Sequence, residues 1–274
     1  MRSSQRCPWG LDPSTPSVAR IYDYFLGGKD NFAVDRAAAA KVVAVFPGAP
    51  VLARENRRFA ARAAWWCAKR GIDQFLDVGT GLPTVSPEAP SLFTVVPSQR
   101  PQARIVGVDN DPVVLSHDRA LLETGTRIRI IDGDIRWPDE IFDRVDGLVY
   151  THRPVAVFLV ALLHLLTEAE DPRGVVAAMV KRLAPGSLVV ISHVTSTGCD
   201  PDAVKAIEEV YSGASSPVVF RTAEEILDLV TGLELLEPGL VDVADWRPDG
   251  GDGEVDPLPV RVLGAVARVP EAAR

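Results

Sequence analysis

The chain has 274 residues, of which 47% are hydrophobic and 24% are charged, and this balance predicts a folded globular protein rather than a disordered or fibrous one. Acidic residues outnumber basic residues by 37 to 29, and the net charge of −8 disfavours nucleic acid as a partner. The three cysteines lie far apart and show no CxxC spacing, so neither a disulfide framework nor a metal site is indicated.

Three helices are predicted before any strand. Apolar residues recur with helical spacing in three stretches that end at proline or glycine: Pro16 to Leu26, Asp35 to Phe46, and about Val51 to Arg70. Thr15 is expected to cap the first of these helices. We therefore expect residues 1–71 to form an N-terminal helical extension, or lid.

From residue 74 onward, short β-branched runs alternate with helical stretches, which is the pattern of a parallel sheet with crossover helices. Five strands are predicted first, at Phe75 to Val78, Arg104 to Val108, Arg127 to Ile131, Val155 to Val160 and Leu188 to Ser192. Two later runs, at Leu233 to Leu236 (with an extension as far as Val243 left open) and at Val260 to Val269, are expected to pair as a closing hairpin. Residues 72–274 should thus form one α/β domain around a seven-stranded, mostly parallel sheet.

Two later helices have clear start signals. Asp171 is placed to cap a helix with Pro172 at its first position, and residues 222–225 form a capping box. By contrast, the prolines between Thr84 and Arg100 leave room for a helix of only about two or three turns.

A glycine turn follows the first predicted strand. Gly79 and Gly81 allow the backbone to turn sharply and to approach a ligand closely, although an ordinary strand-to-helix turn explains a bare GxG equally well. Thr84 stands where the dinucleotide-binding motif has its third glycine, and the carboxylate of Asp77 would repel a pyrophosphate. The pattern therefore favours a nucleoside with a cationic amino-acid end over a cofactor that carries phosphates.

Acidic residues also follow the next two strands. Asp109 is placed to accept two hydrogen bonds from adjacent ribose hydroxyls, whereas Asp111 is better explained as a helix cap. Asp134 and Ile135 offer an acceptor for an adenine amino group and a flat apolar contact. Because the carboxyl ends of parallel strands open onto one crevice, we expect these residues to converge with Asp77.

Several segments match the motifs of a known family. They are YDYFLGGKDNF at residues 22–32, ARENR at 53–57, the glycine turn at 75–84 and VDNDP at 108–112, with further matches at 160–164, 185–187 and 192–193. In these motifs the chain resembles the bacterial S-adenosyl methyltransferase family, whose substrates are largely unassigned. The resemblance implies a Rossmann-like fold of the class I methyltransferase type that binds S-adenosyl-L-methionine. The family's polar continuation after Thr84 is replaced here by the proline-containing segment 85–90.

The same resemblance implies a set of cofactor-binding residues. Asp77, Gly79 and Gly81 would lie at the methionine end, Asp109 at the ribose and Asp134 at the adenine. Their neighbours in the motifs complete the predicted cofactor site: Thr80, Asn110 and Ile135.

The segment after the first helix has two readings. Gly27 and Gly28 followed by Lys29, Asp30 and Asn31 form either a polar lid over the cleft or a helix stop with a solvated turn. The predicted substrate or lid residues are Arg20, Tyr22, Lys29, Asp30 and Asn31. The segment from Arg54 to Arg58 on the third helix is better explained as a charged helical face with internal ion pairs.

Methyl transfer requires in-line positioning and, where the nucleophile is protonated, a base. His164 follows the fourth strand and is the predicted general base, while His193 after the fifth strand is better explained as a buried core histidine. His152 is expected to be exposed. The chain has no Asn/Asp-Pro-Pro-aromatic run and no Pro-Cys nucleophile after the fourth strand, so a small-molecule acceptor is expected.

Three functions are compatible with these residues. The first is a methyltransferase acting on an O, N or C centre of a small metabolite, and the second is a regulatory protein that binds the cofactor without efficient catalysis. An NAD-dependent oxidoreductase is disfavoured by the missing third glycine. The N-terminus lacks a signal peptide and the longest apolar run, Val155 to Leu163, is about half a membrane span, so we expect a soluble cytoplasmic protein without a membrane partner. A homodimer is left open.

Overall fold

The computed structural model describes residues 12–83, 89–248 and 258–271. Its strands are β1 (Gln74–Val78), β2 (Arg104–Asp109), β3 (Ile128–Asp132), β4 (Ala156–Val160), β5 (Leu188–Thr195), β6 (Glu234–Leu235), β7 (Val241–Asp242) and β8 (Arg261–Arg268). They form one sheet in the order β3-β2-β1-β4-β5-β8-β6, and β7 pairs with β8. The first five strands are parallel and β8 is antiparallel to β5, which confirms the predicted mostly parallel α/β fold.

The sheet has one strand more than expected. The late run at residues 233–243 is divided into β6 and β7, both of which pair with β8. Pro238 lacks a backbone N–H for a sheet ladder, and Gly239 adopts a φ of 91° that turns the chain out of the extended conformation. The two residues together explain why one run gives two short strands.

Helices cover both faces of the sheet. They are α1 (Val18–Phe25), α2 (Ala33–Val45), α3 (Ala49–Lys69), α4 (Leu92–Gln99), α5 (Pro112–Leu121), α6 (Pro138–Val145), α7 (Pro172–Lys181), α8 (Pro201–Tyr211) and α9 (Ala223–Asp228), with short 3-10 turns at Leu163–Leu165 and Glu168–Glu170. No single helix in the described ranges is long and apolar enough to cross a membrane, although α2 and α3 pass that test as a pair bent by 102°.

The N-cap residues that the sequence predicts are those found in the structure, except at α1. Asp171 accepts a hydrogen bond from the backbone N–H of Gly174 at 2.9 Å, and Thr222 accepts one from Glu225 at 3.2 Å, as expected. At α1, however, the N-cap is Ser17 and not Thr15. The Ser17 amide is held by the buried carboxylate of Asp35 at 2.9 Å, a contact eighteen residues away in sequence that no local pattern reveals.

Alternate residues of each strand feed two separate cores, as the two-residue period of a strand requires. One face, which includes Val106, Val157 and Ile191, packs against α6, α7 and α9. The other face, with Phe75, Phe158 and Val190 among its members, packs against α3 and α4. A third cluster joins α1, α2, the start of α3 and α8 above the carboxyl ends of the strands. The helices before the sheet therefore close over the edge where ligands bind in such folds.

Candidate functional site

A cavity of about 550 Å³ lies between the strand ends and the helical cover. One part of its wall consists of the residues that follow β1, β2, β3 and β4, and the other part comes from α1, α2, α3 and α8. The predicted site residues that line it are Arg20, Tyr22, Asp77, Gly79, Thr80, Gly81, Asp109, Asn110, Asp134, Ile135 and His164. Lys29, Asp30 and Asn31 lie outside the lining. The structure thus brings together the residues after the strands and only part of the N-terminal motif.

The glycine turn takes a conformation that favours glycine. Gly79 and Gly81 have φ values of 75° and 62°, and the amides of Gly79 and Thr80 donate to the carbonyl of Val108 at 2.7 and 3.2 Å. A Cβ at Gly79 would lie 2.8 Å from the side chain of Leu162, whereas a Cβ at Gly81 would face open space. The turn therefore packs tightly on one side and leaves room on the other.

Asp109 holds this turn in place. Its Oδ2 accepts a hydrogen bond from the Gly81 amide at 3.0 Å, and its Oδ1 accepts one from the Asp111 amide at 2.9 Å. Asp111 in turn caps α5 through the Val113 amide at 2.8 Å, as predicted. Burial raises the pKa of Asp109 to about 6, although the two amide hydrogen bonds act in the opposite direction. Asp109 also lines the cavity, and a carboxylate has further lone pairs with which to accept hydrogen bonds from a ligand.

Asp118 on α5 is a site residue that the sequence analysis missed. It is fully buried, and its Oδ2 accepts a hydrogen bond from the Thr80 hydroxyl at 2.6 Å. Its Oδ1 has no hydrogen-bond partner in the described part of the chain, and burial raises the pKa of Asp118 to about 7. The available signal was its spacing, since Asp118 follows the cap residue Asp111 by seven positions and so shares its helix face.

Asp77 lies between a cation and other carboxyls. Burial raises the pKa of Asp77 to about 7, Asp109 adds to this rise, and the positive charge of Arg57 opposes it. Arg57 lines the same cavity from α3, and its Nε is buried without a hydrogen-bond partner among the described residues. Its neighbour Arg58 pairs with Glu55 at 2.5 Å. The expected ion pair is therefore present on α3, whereas Arg57 of the same segment lines the cavity.

The tyrosine of the N-terminal motif is tied to α3. The Tyr22 hydroxyl donates to the carbonyl of Ala53 at 2.9 Å and accepts a hydrogen bond from the Asn56 amide at 2.9 Å. Asn56 is only 2% exposed, and its Oδ1 is a second buried atom without a partner in the described ranges. Sequence reasoning also missed this residue.

The remaining N-terminal residues are held by internal carboxylates. Arg20 forms a buried ion pair with Asp35 at 2.7 Å. The amide of Asp30 and the Asn31 side chain donate to Asp23 at 3.0 and 2.8 Å, so the loop folds back onto α1. A Cβ at Gly28 would lie 1.8 Å from this carboxylate, which explains the need for glycine there.

The adenine candidates lie together at the end of β3. Asp134 accepts a hydrogen bond from the Asn110 amide at 2.9 Å and forms an ion pair with Arg136 at 3.2 Å. Arg136 also pairs with Glu170 at 2.5 Å. Ile135 is buried beside them and lines the cavity. Thr84, which stands in place of the third glycine, and residues 85–88 lie outside the described residues.

The histidines differ in their surroundings. His164 lines the cavity, is 8% exposed, and has an Nδ1 without a partner in the part of the chain described. Burial, reinforced by Arg221, lowers the pKa of His164 to about 4. His193 is fully buried off the cavity, with its Nε2 2.9 Å from Arg221, which agrees with its interpretation as a core histidine. His152 is exposed.

Comparisons with known proteins show the family and the fold of this chain. Residues 4–270 match the family model described as S-adenosyl methyltransferase. The structure of a putative methyltransferase from Thermobifida fusca is 38% identical with a TM-score of 0.86, and the match covers 98% of this chain and all of that one. The structure of a DUF574 family protein from Streptomyces avermitilis is 36% identical with a TM-score of 0.87, covering 94% and 99% of the two chains. No curated protein matches the chain.

Proposed function

The chain belongs to the S-adenosyl methyltransferase family, and we propose that the cavity described above binds S-adenosylmethionine at the strand ends and a small-molecule acceptor beneath the N-terminal helices. The family, the fold and the cofactor make it a methyltransferase. We assign the cofactor to one end of the cavity because Asp77, Asp109 and the turn from Gly79 to Gly81 converge there.

The residues at that end fit the cofactor. S-adenosylmethionine supplies a methyl group on a positively charged sulfonium. The cavity beside Gly81 has room for a ligand, and the buried carboxyls of Asp77 and Asp118, with a pKa of about 7 each, gain from a nearby cation. In this proposal Asp109 accepts hydrogen bonds from the ribose hydroxyls, while Asp134 and Ile135 contact the adenine.

The other end of the cavity suits an apolar acceptor. Its wall includes Phe25, Val42, Phe46, Ile207 and Val260, all of which are buried in the cluster that joins α1, α2 and α8. Such walls bind apolar or aromatic groups and exclude water from the methyl-transfer step. We therefore propose a small, largely apolar acceptor, with Tyr22 at its boundary with the cofactor.

His164 is the proposed general base, and its pKa limits what it can do. An imidazole with a pKa of about 4 is neutral at pH 7 but takes up a proton only weakly, whereas efficient bases have a pKa near the working pH. The acceptor should therefore be a group that ionises readily or carries a free lone pair. The low pKa of His164 also supports a second candidate function, that of a regulatory protein that binds the cofactor without efficient catalysis.

Further properties are proposed on sequence grounds. We propose a cytoplasmic location, and the net charge of −8 argues against a nucleic-acid partner. We propose that residues 1–71 serve as the cover of a SAM-binding domain formed by residues 72–274. A homodimer remains a hypothesis for light scattering to test.

Calorimetry with S-adenosylmethionine, S-adenosylhomocysteine and NAD tests the proposed function. We expect the first two ligands to bind and NAD not to bind, because the site offers carboxylates where NAD has a pyrophosphate. Binding of NAD alone would overturn the proposal. Formation of S-adenosylhomocysteine from S-adenosylmethionine in the presence of a metabolite extract would then separate the enzyme from the regulatory protein.

A further inference from the structure

Three arginines line the cavity within the described residues, and they differ in their partners. Arg20 pairs with Asp35, and Arg136 pairs with Asp134 and Glu170. Arg57 makes no hydrogen bond or ion pair with any residue that the structure describes, and its Nε is buried. The side chain as a whole is half-buried, and a guanidinium with a buried, unpartnered Nε on a cavity wall is well placed to bind an anionic group of a ligand.

The surroundings of Arg57 show which end of the cavity this anion occupies. Arg57 lines the cavity together with Asp77, Asp118 and Tyr22, and its positive charge opposes the rise in pKa that burial causes in each of them. Asp77 is the last residue but one of β1, close to the glycine turn, so Arg57 lies toward the proposed cofactor end of the cavity. The adjacent Asn56 adds a buried Oδ1 that accepts no hydrogen bond in the described ranges.

A cation and a carboxyl at one wall of a cavity are complementary to an α-amino acid. In such a ligand the ammonium and the carboxylate are attached to the same carbon, so a receptor needs an anion and a cation close to each other. Guanidinium is the side chain best suited to a carboxylate, because its donors form two parallel hydrogen bonds with the two oxygens.

We propose that Arg57 binds the carboxylate and Asp77 the ammonium of the amino-acid end of the cofactor, with the Asn56 Oδ1 as a further acceptor for the ammonium. This inference rests on the proposed function, because it assigns residues to the same cofactor site. It makes α3, a helix of the N-terminal 71 residues, part of that site. The cover of the cavity then contributes to cofactor affinity as well as to acceptor binding.

The test combines one substitution with ligands that lack parts of the amino-acid end. Binding of S-adenosylhomocysteine, decarboxylated S-adenosylmethionine and 5′-methylthioadenosine is measured by calorimetry for the wild type and Arg57→Gln. We expect Arg57→Gln to weaken S-adenosylhomocysteine more than about tenfold, since a charge-assisted pair is lost. The two ligands without a carboxylate should bind both proteins equally, within about twofold of each other. Arg54→Gln, on the same helix but off the cavity, is the matched control and should change nothing.

Two results would overturn the assignment. An equal loss for all three ligands would show a structural effect, and unchanged binding of S-adenosylhomocysteine would show that Arg57 does not contact the carboxylate. If Arg57→Gln does not fold, Arg57→Lys is used in its place, and the affinities of the wild type for the three ligands are compared. A wild type that does not bind S-adenosylhomocysteine more tightly than the two ligands without a carboxylate overturns the inference. A wild type that binds none of the three nucleosides would instead refute the proposed function.

Discussion

Asp77, Asp109 and Asp118 surround the glycine turn, and the pKa of each lies well above the ordinary value for aspartate. Burial is the main cause, because it disfavours the charged form, and mutual repulsion contributes, since Asp109 raises the pKa of both other residues. A site that concentrates buried carboxyl groups is destabilising without a ligand, and the nearby Arg57 offsets only part of this cost. The same arrangement favours a ligand with a cationic sulfonium and an ammonium group.

Asp118→Asn tests the cost of this charge. The pKa of Asp118 is about 7 in the folded protein against an ordinary value of 3.8, so the folded state binds the proton more tightly between those pH values. The stability contributed by Asp118 therefore falls as the pH rises through this window, and the loss is complete above pH 7. We expect Asp118→Asn to raise the free energy of unfolding at pH 8 by on the order of 2 kcal/mol and to change it little at pH 4.5.

Urea denaturation at the two pH values measures this difference. The exposed Asp228→Asn is the control and should have little effect at either pH. A destabilised Asp118→Asn protein at pH 8 would contradict the account of the buried carboxyls.

Asp109→Asn tests the ribose assignment. The amide keeps one acceptor oxygen for the turn but cannot accept two hydrogen bonds from the ribose diol, so the affinity for S-adenosylhomocysteine should fall more than about tenfold. Asp109→Ala should lose the same affinity and also stability, because it leaves the amides of Gly81 and Asp111 without their acceptor. Calorimetry together with thermal unfolding separates the two effects, and unchanged affinity in Asp109→Asn would refute the assignment.

At the scale of elements, α3 connects the helical cover to the sheet. Its Phe59 lies against β8 at Gly264, where an added Cβ would come within 2.8 Å of the ring. Gly264→Ala should therefore shift α3 and destabilise the protein by about 1–3 kcal/mol, as overpacking does in other cores. Gly213→Ala is the control, because the nearest atom to its Cβ would be 4.0 Å away. Equal stability of the two variants would show that α3 does not depend on this contact.

The sequence predicted those helices and strands whose bounds are set by residues nearby in the chain. The strands follow from β-branched runs, and the starts of α7 and α9 follow from the caps Asp171 and Thr222. The start of α1 was misplaced because Asp35 holds it from a distance. The place of Arg57 on the cavity wall was not predicted for a similar reason, since the sequence indicates an ion pair on α3 but not which side of the helix meets the cavity.

At the scale of the whole molecule, the helices before β1 and the sheet share one core. Phe59, Ala63, Ala64 and Cys67 of α3 are fully buried in the same cluster as Phe75 and Phe158. A chain that begins at residue 72 would expose this face of the sheet to water. We expect such a chain to lose cooperative thermal unfolding, as followed by circular dichroism, and a sharp transition near the wild-type midpoint would contradict this view.

The central claim is that the cofactor lies where β1 and β2 end, enclosed by the N-terminal helices. A crystal structure of the protein with S-adenosylhomocysteine tests it most directly. We predict electron density with the ribose hydroxyls at the Asp109 carboxylate and the amino-acid end between Asp77 and Arg57. Nucleoside density at another surface of the protein, with this cavity filled only by water, would contradict the claim.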